Sequence, residues 1–226
     1  MKFVISSIIC VLVALSAYSQ TEVTKFLGIP VDGSKKEMIR SLKKKGFRPS
    51  NKEKGVLIGT FNGSTVSVHI LETKGKVDRI AVIPLYGSSA SDVIIKFNNL
   101  CSQFLNKDNY VALLGDILMP TYEDLAISSP VDIDYEMKVN DKRFGASFIQ
   151  IPSSKDSIME EIKSYKTGVI TMSDENGKKI DLTSYLELIT KYSNNSVWFK
   201  IEEQSGKFFI ILFYDNRSNQ ANGEDL

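Results

Sequence analysis

Seven consecutive apolar or aromatic residues, Phe208–Tyr214, end a segment that reads as two strands turning at Gln204-Ser205-Gly206. A strand with one face in water alternates apolar and polar positions, so an unbroken run predicts burial on both faces. In the preceding strand, Val197–Glu203, Val197, Phe199 and Ile201 share one face while Trp198, Lys200 and Glu202 share the other. Three further strands are expected at Gly55–Phe61, Ser64–Glu72 and Lys76–Leu85, joined by Asn62-Gly63, a strong two-residue hairpin signal, and by Thr73–Gly75. Asp132–Val139 alternates apolar and acidic residues and, with Lys142–Ile151, predicts a hairpin turning at Asn140-Asp141. A short strand is expected at Gly168–Met172, followed by a turn at Asp174–Gly177.

Helical periodicity marks other segments. Ser34 and Glu37 form a capping-box pair ahead of Met38, Ile39 and Leu42, and Gly46 suits the left-handed residue past the helix end, so a helix is predicted over Ser34–Lys45. Ser89–Asn106 carries a stripe of Val93, Ile94, Phe97, Leu100, Cys101 and Phe104 over more than three turns. Asp181 is placed to cap a helix whose inner stripe holds Leu182, Tyr185, Leu186, Ile189 and Tyr192, and Ser153–Ser164 reads as a shorter one. Tyr110–Pro130 fits either a short helix or a buried crossover. Strands in hairpin-length groups, rather than alternating singly with helices, predict an α+β fold: an antiparallel, curved sheet of hairpins and a meander with helices packed on one face. Residues 20–216 form one such domain, or two helix-plus-hairpin halves at 26–107 and 131–216, and 217–226 is a polar tail expected to fray.

The N-terminus changes where this fold is expected to reside. Lys2, an uncharged apolar run over Phe3–Leu15, and small residues Ala17 and Ser19 make the three-part layout of a secretory leader, with cleavage expected between Ser19 and Gln20. The apolar run is shorter than the roughly 20 residues of a membrane span, so no integral membrane segment is expected in the processed chain. Of two cysteines, Cys10 departs with the leader and Cys101 remains, which leaves no internal disulfide. The processed chain of about 200 residues is long enough to be held by its core instead. Loss of Lys2 takes the formal charge from +1 to zero, so nothing draws the chain to nucleic acid, and the lysine clusters at Lys35-Lys36, Lys43–Lys45 and Lys52–Lys54 read as solvated surface.

Catalytic and cofactor chemistry finds little purchase. The single histidine, His69, stands on the more polar face of a meander strand, and Cys101 lies on an apolar helix stripe; one His and one buried thiol supply neither a triad nor a zinc site. No glycine-rich phosphate loop, dinucleotide fingerprint or calcium loop is present in the sequence, and no cofactor is expected. Asp132, Asp134 and Glu136 on one strand face are the carboxylates from which a glycan or peptide hydrolase would be built. The aromatics give a better lead: the single tryptophan, Trp198, stands on a mixed strand face with Lys200, where such a side chain serves either as core or as a binding anchor. The binding candidates are Trp198, Lys200 and His69.

FLGIPVDG at Phe26–Gly33, LKKKGF at Leu42–Phe47, VNDKRFGASFIQ at Val139–Gln150 and FYDNRSNQANGEDL at Phe213–Leu226 resemble a family of small exported proteins of Bacteroidetes, which brings no activity or functional residues with it. Asp156-Ser157-Ile158 resembles the short acceptor motif for O-glycosylation in that group. The order of helix then meander is similar to β-lactamase-inhibitor proteins and related outer-membrane assembly lipoproteins, a resemblance that implies protein binding. The leading expectation is an exported, non-enzymatic binding protein of the cell envelope, whose partner is another envelope protein or a peptide. Two alternatives stand beside it: a hydrolase using paired carboxylates, and a small-molecule or lipid carrier, which requires an apolar cavity between sheet and helices.

Overall fold

The computed structural model of the chain describes residues 23–113, 125–165, 171–173 and 179–220. It is an α+β structure built on an eight-stranded, wholly antiparallel sheet. The meander comprises β3 (Arg48–Pro49), β4 (Leu57–Phe61), β5 (Ser64–Thr73) and β6 (Lys76–Pro84). The other half comprises β7 (Tyr110–Leu113), β8 (Gly145–Gln150), β11 (Asn195–Gln204) and β12 (Lys207–Asn216). Their order is β3-β4-β5-β6-β12-β11-β8-β7, so the C-terminal hairpin lies between two outer blocks and joins them into one sheet. Outside it, β1 (Lys25–Phe26) pairs with β2 (Ile29–Pro30), and β9 (Thr171–Ser173) with β10 (Lys179–Asp181).

Asn62-Gly63, Lys74-Gly75 and Ser205-Gly206 all have positive φ at both residues, the backbone that matches the twist of two-residue hairpins. The turn at Leu27-Gly28, which the residue pattern did not announce, uses the same geometry. At helix α1 (Lys35–Lys44), the Ser34 hydroxyl accepts from the Glu37 amide and the Glu37 carboxylate reaches back to the Ser34 amide, as the capping-box spacing predicts. Met38 and Leu42 on its inner side are buried. Helix α2 (Ala90–Leu105) begins at Ser89, whose hydroxyl accepts from the Asp92 amide. From it, Phe97 and Phe104 descend onto the sheet. Phe97 meets Phe199 edge-on at 5.3 Å between centroids, and Phe104 stacks on Phe148 at 4.8 Å and meets Tyr110 edge-on at 4.8 Å. A separate aromatic group centres on the fully buried Phe26, which contacts Phe61, Phe47 and Tyr214.

Two expectations from periodicity are corrected. Asp132–Val139 is not a strand: α3 spans Pro130–Lys138. In an alternating sequence the apolar residues recur at i+4 as well as i+2, so the pattern satisfies a helix equally well. Ile133 and Met137 take the core side while Val131, Tyr135 and Val139 are exposed. Local signals settle it, with Ser129 as N-cap and Pro130 in the first turn. The expected partner strand is β8, shortened to Gly145–Gln150, and it pairs with β7 and β11 instead. The second correction concerns Phe208–Tyr214. Phe208, Ile210, Leu212 and Tyr214 are buried, but Phe209, Ile211 and Phe213 on the reverse face are half-buried.

Helices α1, α2 and α3 pack against one face of the sheet. On the other face, α4 (Lys155–Tyr165) and α5 (Leu182–Tyr192) stand over the β7–β8 end, where Ile158 and Leu188 join Val111, Ile149 and Ile151 in a second, smaller core. No residue of β5, β6 or β12 belongs to that core. The unresolved choice at Tyr110–Pro130 becomes a strand at Tyr110–Leu113, while Leu114, Ile117 and Leu118 lie outside the described residues, as does the turn expected at Asp174–Gly177. In the tail expected to fray, Arg217–Asn219 instead make a 3₁₀ turn, and the Asn219 side chain donates to Asp32 and to the Val77 carbonyl; residues 221–226 lie outside the described residues.

The aromatic packing beneath α2 sets the first test. Phe199→Ala removes a fully buried ring that touches Phe97, Phe104 and Phe148, and is expected to cost about 3–5 kcal/mol in chemical denaturation. Val139→Ser, at an exposed position, is expected to change stability by less than about 0.5 kcal/mol.

Candidate functional site

Antiparallel partners point to the same side of a sheet, so the pairing scheme assembles the reverse face row by row. His69 pairs with Ala81, Ala81 with Phe213, Phe213 with Trp198, and Trp198 with Ser147, making one row across β5, β6, β12, β11 and β8. Lys200 lies in the next row, opposite Ile211. The three binding candidates therefore share one face, with His69 and Trp198 three strands apart, about 14 Å at ordinary strand spacing. They do not converge on one point. The His69 ring is half-exposed, with Nε2 3.2 Å from the Ser67 hydroxyl and Nδ1 3.9 Å from Glu53, and Lys200 pairs with Glu202 along its own strand.

What surrounds Trp198 is a cluster that the linear sequence hides. Its ring stacks on Phe213 with centroids 4.0 Å apart and planes 17° from parallel. The Arg79 guanidinium lies over both rings, 5.6 Å from the indole centroid and 5.4 Å from the phenyl. Beside them Asp215, 1% exposed, accepts from Arg79 Nε at 2.6 Å and Nη2 at 2.8 Å, and from Trp198 Nε1 at 3.0 Å. The Thr24 hydroxyl donates to the Asp215 backbone carbonyl. The bidentate fork answers the buried charge and fixes the guanidinium against its carboxylate, and among the described residues no hydrogen bond engages Nη1. The Asp215 hydrogen bond in turn holds the Arg79 pKa above the ordinary arginine value.

Arg79, Phe213 and Asp215 were missed because their roles exist only in the pairing of β6 with β12, across 136 residues of sequence. One local signal was available: Asp215 directly follows the seven-residue apolar run, and a carboxylate that stays in a buried strand requires a cation opposite it.

The acidic trio Asp132, Asp134 and Glu136 sits on α3 rather than on a strand face, and each member has a structural partner. The Ser128 and Ser129 hydrogen bonds hold the Asp132 carboxyl below its ordinary pKa, Asp134 pairs with Lys138 one turn away at 3.0 Å, and Glu136 with Lys142 at 3.9 Å. Among the described residues no three His, Cys, Asp or Glu side chains gather at metal-binding spacing. Cys101 is fully buried, and burial pushes its thiol up to about 12. Ser157 is exposed in the first turn of α4. No helix among the described residues is long and apolar enough to cross a membrane. No family model, no curated protein and no solved structure matches the chain, so its functional reading rests on its own geometry.

The cluster and the thiol make separate predictions. Asp215→Ala leaves the guanidinium and the indole N–H facing an empty site and is expected to cost about 3 kcal/mol or more, whereas the Arg79→Ala/Asp215→Ala double variant loses clearly less than the sum of the singles. Urea denaturation of the four-member cycle measures this; additive losses would mean the pair is not coupled. For Cys101, peptide mapping after iodoacetamide treatment at pH 8 is expected to show no modification of the folded protein and full modification in denaturant, since thiolate is scarce four pH units below a pKa of about 12.

Proposed function

We propose that the chain is an exported, non-enzymatic protein of the cell envelope that binds another envelope protein or a peptide through the reverse face of its sheet. The observation that carries this reading is the Arg79–Trp198–Phe213 stack, half-buried on a sheet face where no described helix lies over β5, β6 and β12. Tryptophan and arginine are the side chains most enriched in binding hot spots, and here both are locked in place before any partner arrives, which lowers the entropy lost on association. Leu71, 44% exposed, and the Lys200–Glu202 pair border the stack and supply the mixed rim that protein interfaces show. Four adjoining strands of nine or ten residues present a surface about 19 Å by 30 Å, on the order of one side of a standard interface. An open sheet face suits a macromolecule better than a small substrate, which takes a concave site. The leader-like N-terminus supports export, and the partnered carboxylates of α3 give hydrolysis no support.

The test uses a photo-crosslinking amino acid placed in the native host at Leu71 or Ile211 on the reverse face and, for comparison, at Val139 on α3. Discrete adducts are expected from the first two positions and weaker ones from the third, with Lys200→Glu reducing capture at Leu71 several-fold. Adducts from Val139 alone would move the interface elsewhere and defeat the reading. Export is checked on the same cells: the protein is expected in the envelope fraction with Gln20 as its first residue.

A further inference from the structure

The sheet's helical face carries a second feature, independent of the first. Between α2 and the β4–β5 hairpin, a cavity of about 240 Å³ opens over a floor of Val66, Val82, Ile210 and Leu212. A second cavity of about 250 Å³ shares Phe61, Asn62 and Leu100 with it, so the two form one trough running toward Tyr214. One wall is a single face of α2, with Lys96, Leu100 and Phe104 at helical spacing, continued by Lys107 just past the helix end. The two lysines therefore stand at opposite ends of the trough, Lys96 in the first cavity and Lys107 in the second. The opposite wall is Phe61–Ser64 of the hairpin.

Neither lysine is neutralised. Among the described residues Lys96 has no carboxylate within ion-pair distance, and its ammonium donates to the Ser88 hydroxyl at 2.8 Å, which also lines the cavity. Lys107 lies over the Tyr110 ring at 5.8 Å, where the trough meets a larger cavity of about 630 Å³. We propose that this trough binds a single-chain amphiphile with an anionic head, its carboxylate or phosphate held by Lys96 and the Ser88 hydroxyl and its tail laid over Val82 and Leu212 toward Tyr214.

The chemistry argues for each part of that ligand. An apolar floor between two walls gains affinity with each methylene taken from water. A lone ammonium beside a hydroxyl at one end supplies charge and hydrogen bonds to an anion and nothing that would favour a cation. The combined space falls within the roughly 300–1,000 Å³ of small-ligand sites and is narrow enough, between α2 and the hairpin, for one chain. Lys96 is exposed at the cavity mouth, so a charged head remains partly in water while the tail is covered.

Isothermal titration of the purified protein with dodecanoate, dodecyl phosphate and dodecanol, each below its micellar range, tests the assignment. Saturable binding is expected for at least one of the two anions, with dodecanol at least tenfold weaker; preference between the anions tells a fatty acid from a lipid phosphate. Lys96→Glu is expected to weaken the anion at least tenfold. Ser64→Trp, which places an indole across the trough, is expected to abolish binding, with an unchanged circular dichroism spectrum as the check on folding. No saturable binding of either anion overturns the proposal, as does equal affinity for dodecanol. Affinities within twofold of the native protein in both variants would place the ligand elsewhere and overturn it too. A failure of this test leaves the reverse-face interface untouched, because the two sites lie on opposite sides of the sheet.

Discussion

Asn195 pairs with Asn216, and the register runs without a break to Gln204 opposite Lys207, so β11 and β12 are fixed against each other over ten residues each. That register decides which residues face α2 and which face away, and both outer blocks of the sheet build on it, β6 along one edge and β8 along the other. A slip of one position would turn Phe199 and Leu212 out of the core and bring Trp198 and Asp215 into it. The Asp215 cluster pins the alignment from the side. A carboxylate at 1% exposure is tolerable only while Arg79 of β6 and Trp198 of β11 are both opposite it, and this requires all three strands in their observed offsets.

Much of the architecture was legible because it is written locally. Ser34 with Glu37, Ser89 with Asp92, and the Asn62-Gly63 turn each settle a boundary within four residues, and the helices and hairpins they define fall where periodicity places them. The failure at Asp132–Val139 has the opposite origin. Alternation over an octet favours a strand but also repeats apolar residues at i+4, and Ser129-Pro130 immediately upstream was the signal that outweighs it. The apolar run of β12 misled by a different route. Continuous apolarity promised two covered faces, whereas Phe209, Ile211 and Phe213 are held half-buried by neighbours within their own face of the sheet.

The candidate site was legible only in part, for a physical reason. Alternation along one strand put Trp198 and Lys200 on a common face and His69 on the polar face of its own strand; that all three share one face, and how far apart they stand, follows only from the pairing of the strands between them. Arg79 and Asp215 contribute through contacts 136 residues apart in sequence, and the trough is lined by α2, β4, β5, β6 and β12, which only the fold brings together. The two faces end up with distinct characters: one aromatic and pinned by a buried ion pair, the other a trough between α2 and the β4–β5 hairpin with a lysine toward each end.

Thr24 meets Asp215, Val31 meets Asn216 and Asp32 meets Asn219, contacts that span 185 to 191 residues. The two ends of the fold are thus stitched to each other, and the central strand of the sheet is also the last to be synthesised. Loop closure on that scale is slow, and the β6 edge of the meander stays unpaired until β12 arrives. For a chain that crosses a membrane in extended form, as the proposed export requires, this is an advantage: the sheet stays open until β12 has emerged, so its closure is timed by that strand.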